Sequence, residues 1–198
     1  YNTLNKAIEE TRHARHDMRH HLSILNSFVK RKDWAGLENY LSKMSKSIPS
    51  SELKLCENNA IDGVAGHYYH RYKDLEIPCV FKLELPKELS VSEIDICLVL
   101  SNLLENALEA SMRTAPDKRR ITVLARMHSD NVVLIKVENF YNGVVKEKNG
   151  IFESSKHSGE GIGTQSVRRI AEKGGGYCRF TQKDGIFTAD VMLRGKSK

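Results

Sequence analysis

At 198 residues the chain is long enough for one full domain and a smaller appended unit, and its 40% hydrophobic content can bury a core. Lys and Arg number 31 against 25 Asp and Glu, a formal net charge of +6, which suits phosphate-bearing ligands or an anionic surface without selecting either. No stretch approaches the roughly 20 apolar residues of a membrane-crossing helix, and the opening "YNTLNKAIEE" lacks the apolar centre of a signal peptide. The absence of an initial Met suggests a piece of a longer protein. Cys56, Cys79, Cys97 and Cys178 are widely spaced with no CxxC pair, which argues against a zinc ribbon or a disulfide framework and for reduced core thiols in a cytosolic setting.

From Leu4 to Val29 there is no Gly or Pro, and apolar or small residues recur every three or four positions: Leu4, Ala7, Thr11, Ala14, Met18, Leu22, Leu25, Val29. That spacing predicts a helix with one narrow buried stripe, which a dimeric bundle would cover. A second helical pattern follows "KRKDW" through Leu37, Tyr40, Leu41, Met44 and Ile48, and Pro49 with two serines breaks it. A helical hairpin is therefore expected over 1–50, with a boundary near 49–55. Next, "AIDGVAGHYYHRYKDL" reads as a helix despite two glycines, "CVFKLELP" as a strand ended by Pro86, and "VSEIDICLVLSNLLENALEASM" as the strongest helix, with Ser92 and Glu93 or Asp95 as cap partners. "RITVLARMH" and "NVVLIKVENF" are strands joined by a Ser-Asp-Asn turn. A polar segment spans 142–163, a helix runs from about Thr164 to Lys173, and two last strands flank the "KDG" turn at Lys183 to Gly185. The fold class expected is α+β, a helical hairpin followed by a two-layer α/β sandwich with a mostly antiparallel sheet.

Three motifs carry chemistry. In "SGEGIGTQSVRRIAEKGGG", Gly159, Gly161 and Gly163 alternate before a helix, where bare backbone can approach a polyphosphate and amide groups attract it. In "SNLLENALEA", Asn102, Glu105, Asn106 and Glu109 fall on one helix face while Leu103, Leu104, Ala107 and Leu108 point mostly inward; amide oxygens beside an acidic side chain suit a hydrated magnesium ion shared with phosphates. In "RHARHDMRHHL", His16 falls opposite the apolar stripe, with His13 and His20 on the same exposed side and His21 turned toward the core edge. Asp17, beside His16, can hydrogen-bond one imidazole nitrogen and make the other the better nucleophile. A zinc site on His16 and His20 lacks a third and fourth ligand.

In that order, "RHDMRHHLSIL", "NLLENALEA" and "GEGIGTQSVRRIAEKGGG" resemble the phosphoacceptor, N and G2 boxes of a sensor histidine kinase with a GHKL (Bergerat) ATPase domain. The Arg-His-Asp form and the short hairpin most resemble the peptide-pheromone receptor kinases of quorum sensing, the accessory-gene-regulator C type. The resemblance covers nearly the whole chain. It implies a dimerization and phosphotransfer hairpin over 1–50, two copies forming a four-helix bundle, and a catalytic ATP-binding domain over 55–198. His16 would take the γ-phosphate of ATP with Asp17 as the orienting or basic partner. Asn102 and Asn106 would hold Mg2+, Glu105 would assist, and Gly159, Gly161 and Gly163 would border the phosphates beneath a lid of about 142–158. His20 falls where related kinases carry a Thr or Asn that positions water for regulator dephosphorylation. The phosphoryl group would pass to an aspartate of a response-regulator receiver domain. A membrane link is implied only through a sensor preceding Tyr1, which makes this the cytoplasmic portion of a bacterial membrane protein.

One position departs from the family. "VENFYNG" puts Asn139 where an Asp reads the adenine amino group, with no glycine pair following; an amide oxygen still accepts a hydrogen bond, but without charge assistance, so weak ATP binding is expected. That loss keeps a rival open, a catalytically weak dimeric phosphotransfer scaffold. A GHKL serine kinase or ATPase is a second rival. Nucleic-acid binding is not expected, because no recognition-helix or basic-aromatic pattern is present.

Overall fold

In a computed structural model, residues 2–44, 54–141, 147–148, 151–152 and 162–195 are described; within the first helix, side chains are described from His16 onward, Asp17 excepted. The chain divides into two compact units, Tyr1–Ser50 and Ser51–Lys198.

The first unit contains α1 (Asn2–Arg31) and α2 (Trp34–Met44). The turn between them is set by hydrogen bonds: Lys32 N–H donates to Val29 O and Asp33 N–H to Phe28 O, both at 3.0 Å, a Schellman closure that puts Lys32 at φ 54. Asp33 Oδ1 then accepts from Gly36 N–H at 2.9 Å and caps α2, so that Trp34 begins the helix instead of preceding it. Tyr40 of α2 packs on Phe28 and shares a 2.7 Å hydrogen bond with His21 Nδ1, which places His21 at the core edge. Met18, Leu22 and Val29 remain 65%, 56% and 47% exposed.

The second unit runs α3 (Asn59–Asp74), β1 (Cys79–Glu84), α4 (Glu93–Arg113), a 3₁₀ turn (Pro116–Lys118), β2 (Ile121–Ser129), β3 (Val132–Phe140), β4 (Glu147–Lys148), β5 (Ile151–Phe152), α5 (Ile162–Lys173), β6 (Tyr177–Lys183) and β7 (Ile186–Arg194). Five strands form one sheet in the order β1-β2-β3-β7-β6, with β1 parallel to β2 and all other pairs antiparallel. Alternation along the strands turns Val123, Ala125, Ile135, Val137, Ala189 and Val191 inward, where α4 lays Ile96, Val99, Leu100, Leu103, Leu104, Ala107 and Leu108 over them. This is the mixed α/β architecture expected, within the described residues. β4 and β5, inside the polar segment, are a small antiparallel pair that the sequence pattern did not predict.

Caps fix the helix ends. Asn58 Oδ1 accepts from Ala60 and Ile61 N–H and opens α3; Ser92 Oγ accepts from Asp95 N–H and opens α4. α5 ends at the triple glycine: Gly175 takes φ 74 and closes another Schellman motif, and at Gly176 a Cβ would collide with the Met192 carbonyl of β7. Asp184 and Gly185, at φ 53 and 75, turn β6 into β7. The four cysteines are free; Cys56 is buried and the others half-buried, and burial raises each thiol pKa, leaving them poor nucleophiles.

Candidate functional site

The asparagine helix and the glycine segment meet. A Cβ on Gly163, in the first turn of α5, would stand 3.1 Å from Asn106 Oδ1, 3.2 Å from its Nδ2 and 3.4 Å from Asn102 Oδ1. Asn102 is oriented by its own helix, since Nδ2 donates to Leu98 O at 2.7 Å, which leaves Oδ1 turned to α5. Asn102 Oδ1 and the Asn106 amide thus both lie against a helix N-terminus that lacks a side chain at the point of contact. Among the described residues no cluster of three His, Cys, Asp or Glu could hold an ion alone. Hard amide oxygens completed by phosphate oxygens and water fit magnesium, an ion that keeps much of its hydration shell. Gly159, Gly161 and the residues of the expected lid other than 147–148 and 151–152 lie outside the described residues, as does Pro49 of the expected hinge.

Glu105 points elsewhere. It lies 100° around the helix from Asn106, and its Oε2 accepts from Arg71 Nη1 of α3 at 2.9 Å. The Tyr68 hydroxyl lies within the field of the same carboxylate, and burial followed by Glu105 pushes it up to about 12. One residue earlier, the Leu104 carbonyl accepts from the Tyr72 hydroxyl at 2.7 Å, deep in the core. The two asparagines therefore face α5 while Glu105 ties the helix to α3. Glu109, half-buried, lies a turn beyond.

At the far end of α4 the helix meets the end of β3. Thr114 Oγ1, just past the helix, bonds to Ala110 O at 2.9 Å and reaches Phe140 O at 3.4 Å. Beside it Asn139 is 4% exposed, inward on β3 between Ile121 and Phe187, and its Nδ2 donates to Phe140 O at 2.9 Å. Ser111, one turn before Thr114 on the inner face of α4, is fully buried, and its hydroxyl has no partner among the described residues. No motif in the sequence marks Ser111, Tyr68, Arg71 or Tyr72. Ser111 left a trace, a hydroxyl at a position where the spacing Leu100, Leu104, Ala107 calls for an apolar residue.

His16 and His20 are exposed on α1, in the other compact unit. Asp17 lies in the same helix, its side chain outside the described set. A groove of about 520 Å³ on the outer face of the sheet, lined by Lys82, Arg126, Lys136 and Asp190, lies on the side away from α4.

Residues 91–194 match the family model described as a GHKL domain. Among solved structures, the nucleotide-free catalytic domain of the histidine kinase ThkA aligns with a TM-score of 0.54 at 19% identity, covering 70% of this chain and 93% of that one. The Acinetobacter baumannii histidine kinase AdeS aligns at 0.51 and 14% identity, covering 70% of this chain and 64% of that one. At such identities the likeness is one of fold. No curated protein matches the sequence significantly.

Proposed function

The chain belongs to the GHKL domain family, and from that premise we propose that it is the cytoplasmic portion of a two-component sensor histidine kinase of the peptide-pheromone receptor type. The observation that carries the reading is the meeting of Asn102, Asn106 and Gly163 at the start of α5. These groups converge from two helices far apart in sequence, which an ordinary amphipathic surface would not require.

In this reading Asn102 and Asn106 hold magnesium through their amide oxygens, and the ion, when bound, neutralises the charge of the ATP phosphates. The first turn of α5 presents backbone amides to the same phosphates. Asn139 accepts a hydrogen bond from the base. His16 supplies a neutral imidazole nitrogen that forms the N–P bond to the γ-phosphorus as the bond to the ADP oxygen breaks, and Asp17 takes up the positive character of the ring through its other N–H. The phosphoryl group then moves to a carboxylate of a receiver domain. Two chains pair through their α1 stripes.

The test is incubation with magnesium and γ-labelled ATP. Label that is acid-labile, alkali-stable and absent from His16→Gln supports the reading. Label that persists in His16→Gln, or no label on a folded dimer that binds ATP, overturns it.

A further inference from the structure

We propose that Ser111 is a second residue reading the nucleotide base, donating its hydroxyl to the ring nitrogen adjacent to the exocyclic amine that Asn139 recognises. This deepens the nucleotide-binding reading and rests on it. A fully buried hydroxyl without a partner is costly and uncommon, so its place in the fold calls for an explanation. Three buried side-chain atoms are in this state among the described residues: His70 Nε2 on α3, Gln182 Nε2 on the edge strand β6, and Ser111 Oγ. Only Ser111 lies at the junction of α4 and β3 that holds Asn139.

The neighbouring polar groups leave it a distinct part. Thr114 Oγ1 is engaged by Ala110 O and Phe140 O. Asn139 Nδ2 is engaged by the same Phe140 carbonyl, which fixes the amide, because the flipped form would set two carbonyl oxygens against each other. Its Oδ1 is thereby the group left to accept from an amine. The Watson–Crick edge of adenine presents an amine and, next to it, the ring nitrogen N1, which accepts. Asn139 offers an acceptor for the first, and Ser111 a donor for the second, directly or through one bridging water. Two neutral groups would stand where the family uses a carboxylate, so no charge is buried at this end of the pocket.

The measurement is calorimetric titration of the whole chain, with magnesium, against ATP and against 1-deaza-ATP, which lacks that ring nitrogen, for the native chain, Ser111→Ala and Ser111→Cys. The native chain is expected to bind ATP roughly tenfold more tightly than the deaza analogue, the scale of one lost hydrogen bond. Ser111→Ala is expected to bind both alike, at the native chain's affinity for the analogue. Its nucleotide-free melting temperature should not fall, since alanine favours the helix and removes an unpaired polar atom. Ser111→Cys, of similar size but a weak donor, should follow the alanine variant. If both variants retain the native preference for ATP, or lose only stability, the assignment is overturned while the kinase reading stands. A native chain that binds no adenine nucleotide at millimolar concentration overturns both.

Discussion

A methyl group on Gly163 would stand 3.1 Å from Asn106 Oδ1, closer than side chains ordinarily tolerate but within reach of a small shift. Alanine is otherwise favourable in a helix by about 1 kcal/mol over glycine. Gly163→Ala is therefore expected to leave the melting temperature unchanged or slightly raised while weakening magnesium-dependent ATP binding roughly tenfold, about 1.4 kcal/mol. Calorimetry beside a thermal melt checks this, and unchanged affinity would detach Gly163 from the site. The glycine was legible in sequence because bare backbone before a helix is a local signal; its contact with Asn106 was not, because that depends on how α4 and α5 pack. Tyr68 gives a second test. Burial and then Glu105 raise its hydroxyl from 10.0 to about 12 in the folded chain. The unfolded chain loses this proton first, so the stabilisation is intact below pH 10 and is lost as pH rises from 10.0 through about 12. Tyr68→Phe should flatten that part of the alkaline unfolding profile; a profile of unchanged slope would contradict the assigned environment.

The element whose placement matters most is α4, since it carries the asparagines on one side and is braced by α3 on another. Two kinds of brace are present and their magnitudes differ. The Arg71–Glu105 pair, with side chains 42% and 39% exposed, is screened by solvent and contributes about 0 to 1 kcal/mol. The Tyr72 hydroxyl, fully buried against Leu104 O, is worth more, because a hydrogen bond shielded from solvent contributes about 0.5 to 1.5 kcal/mol even though the carbonyl keeps its own helix partner. Denaturant unfolding should accordingly show Tyr72→Phe as the more destabilising change and Arg71→Ala as nearly silent; the reverse order would show that the ion pair, not the hydroxyl, holds the helix. The pattern of α4 itself was plain in the sequence, cap and apolar stripe included. What the pattern could not give was the divergence of Glu105 from Asn106. Adjacent residues on a helix are separated by 100°, and which one faces α5 is decided by partners such as Arg71 that lie 34 positions away in the chain. The same holds for β1 and β2, whose parallel pairing encloses all of α4.

At the scale of the whole molecule, the two compact units have different means of support. The sandwich buries a continuous core of its own, from Ile61 of α3 to Leu193 of β7. The hairpin has two helices, of which α1 keeps Met18, Leu22 and Val29 at 65%, 56% and 47% exposure along one side. Helices of this kind are stabilised chiefly by covering an apolar face, and two alone rarely suffice in water. A second copy of the same stripe is the simplest cover, with self-complementary contacts about a two-fold axis. The whole chain is thus expected to sediment as a dimer at micromolar concentration, and Met18→Asp with Leu22→Asp to make it a monomer. A fragment of 51–198 should melt at the temperature of the sandwich in the intact chain and bind ATP equally well. A native chain that sediments as a monomer, or aspartates that leave the dimer intact, would place the cover of this stripe elsewhere and remove the bundle from the proposed kinase.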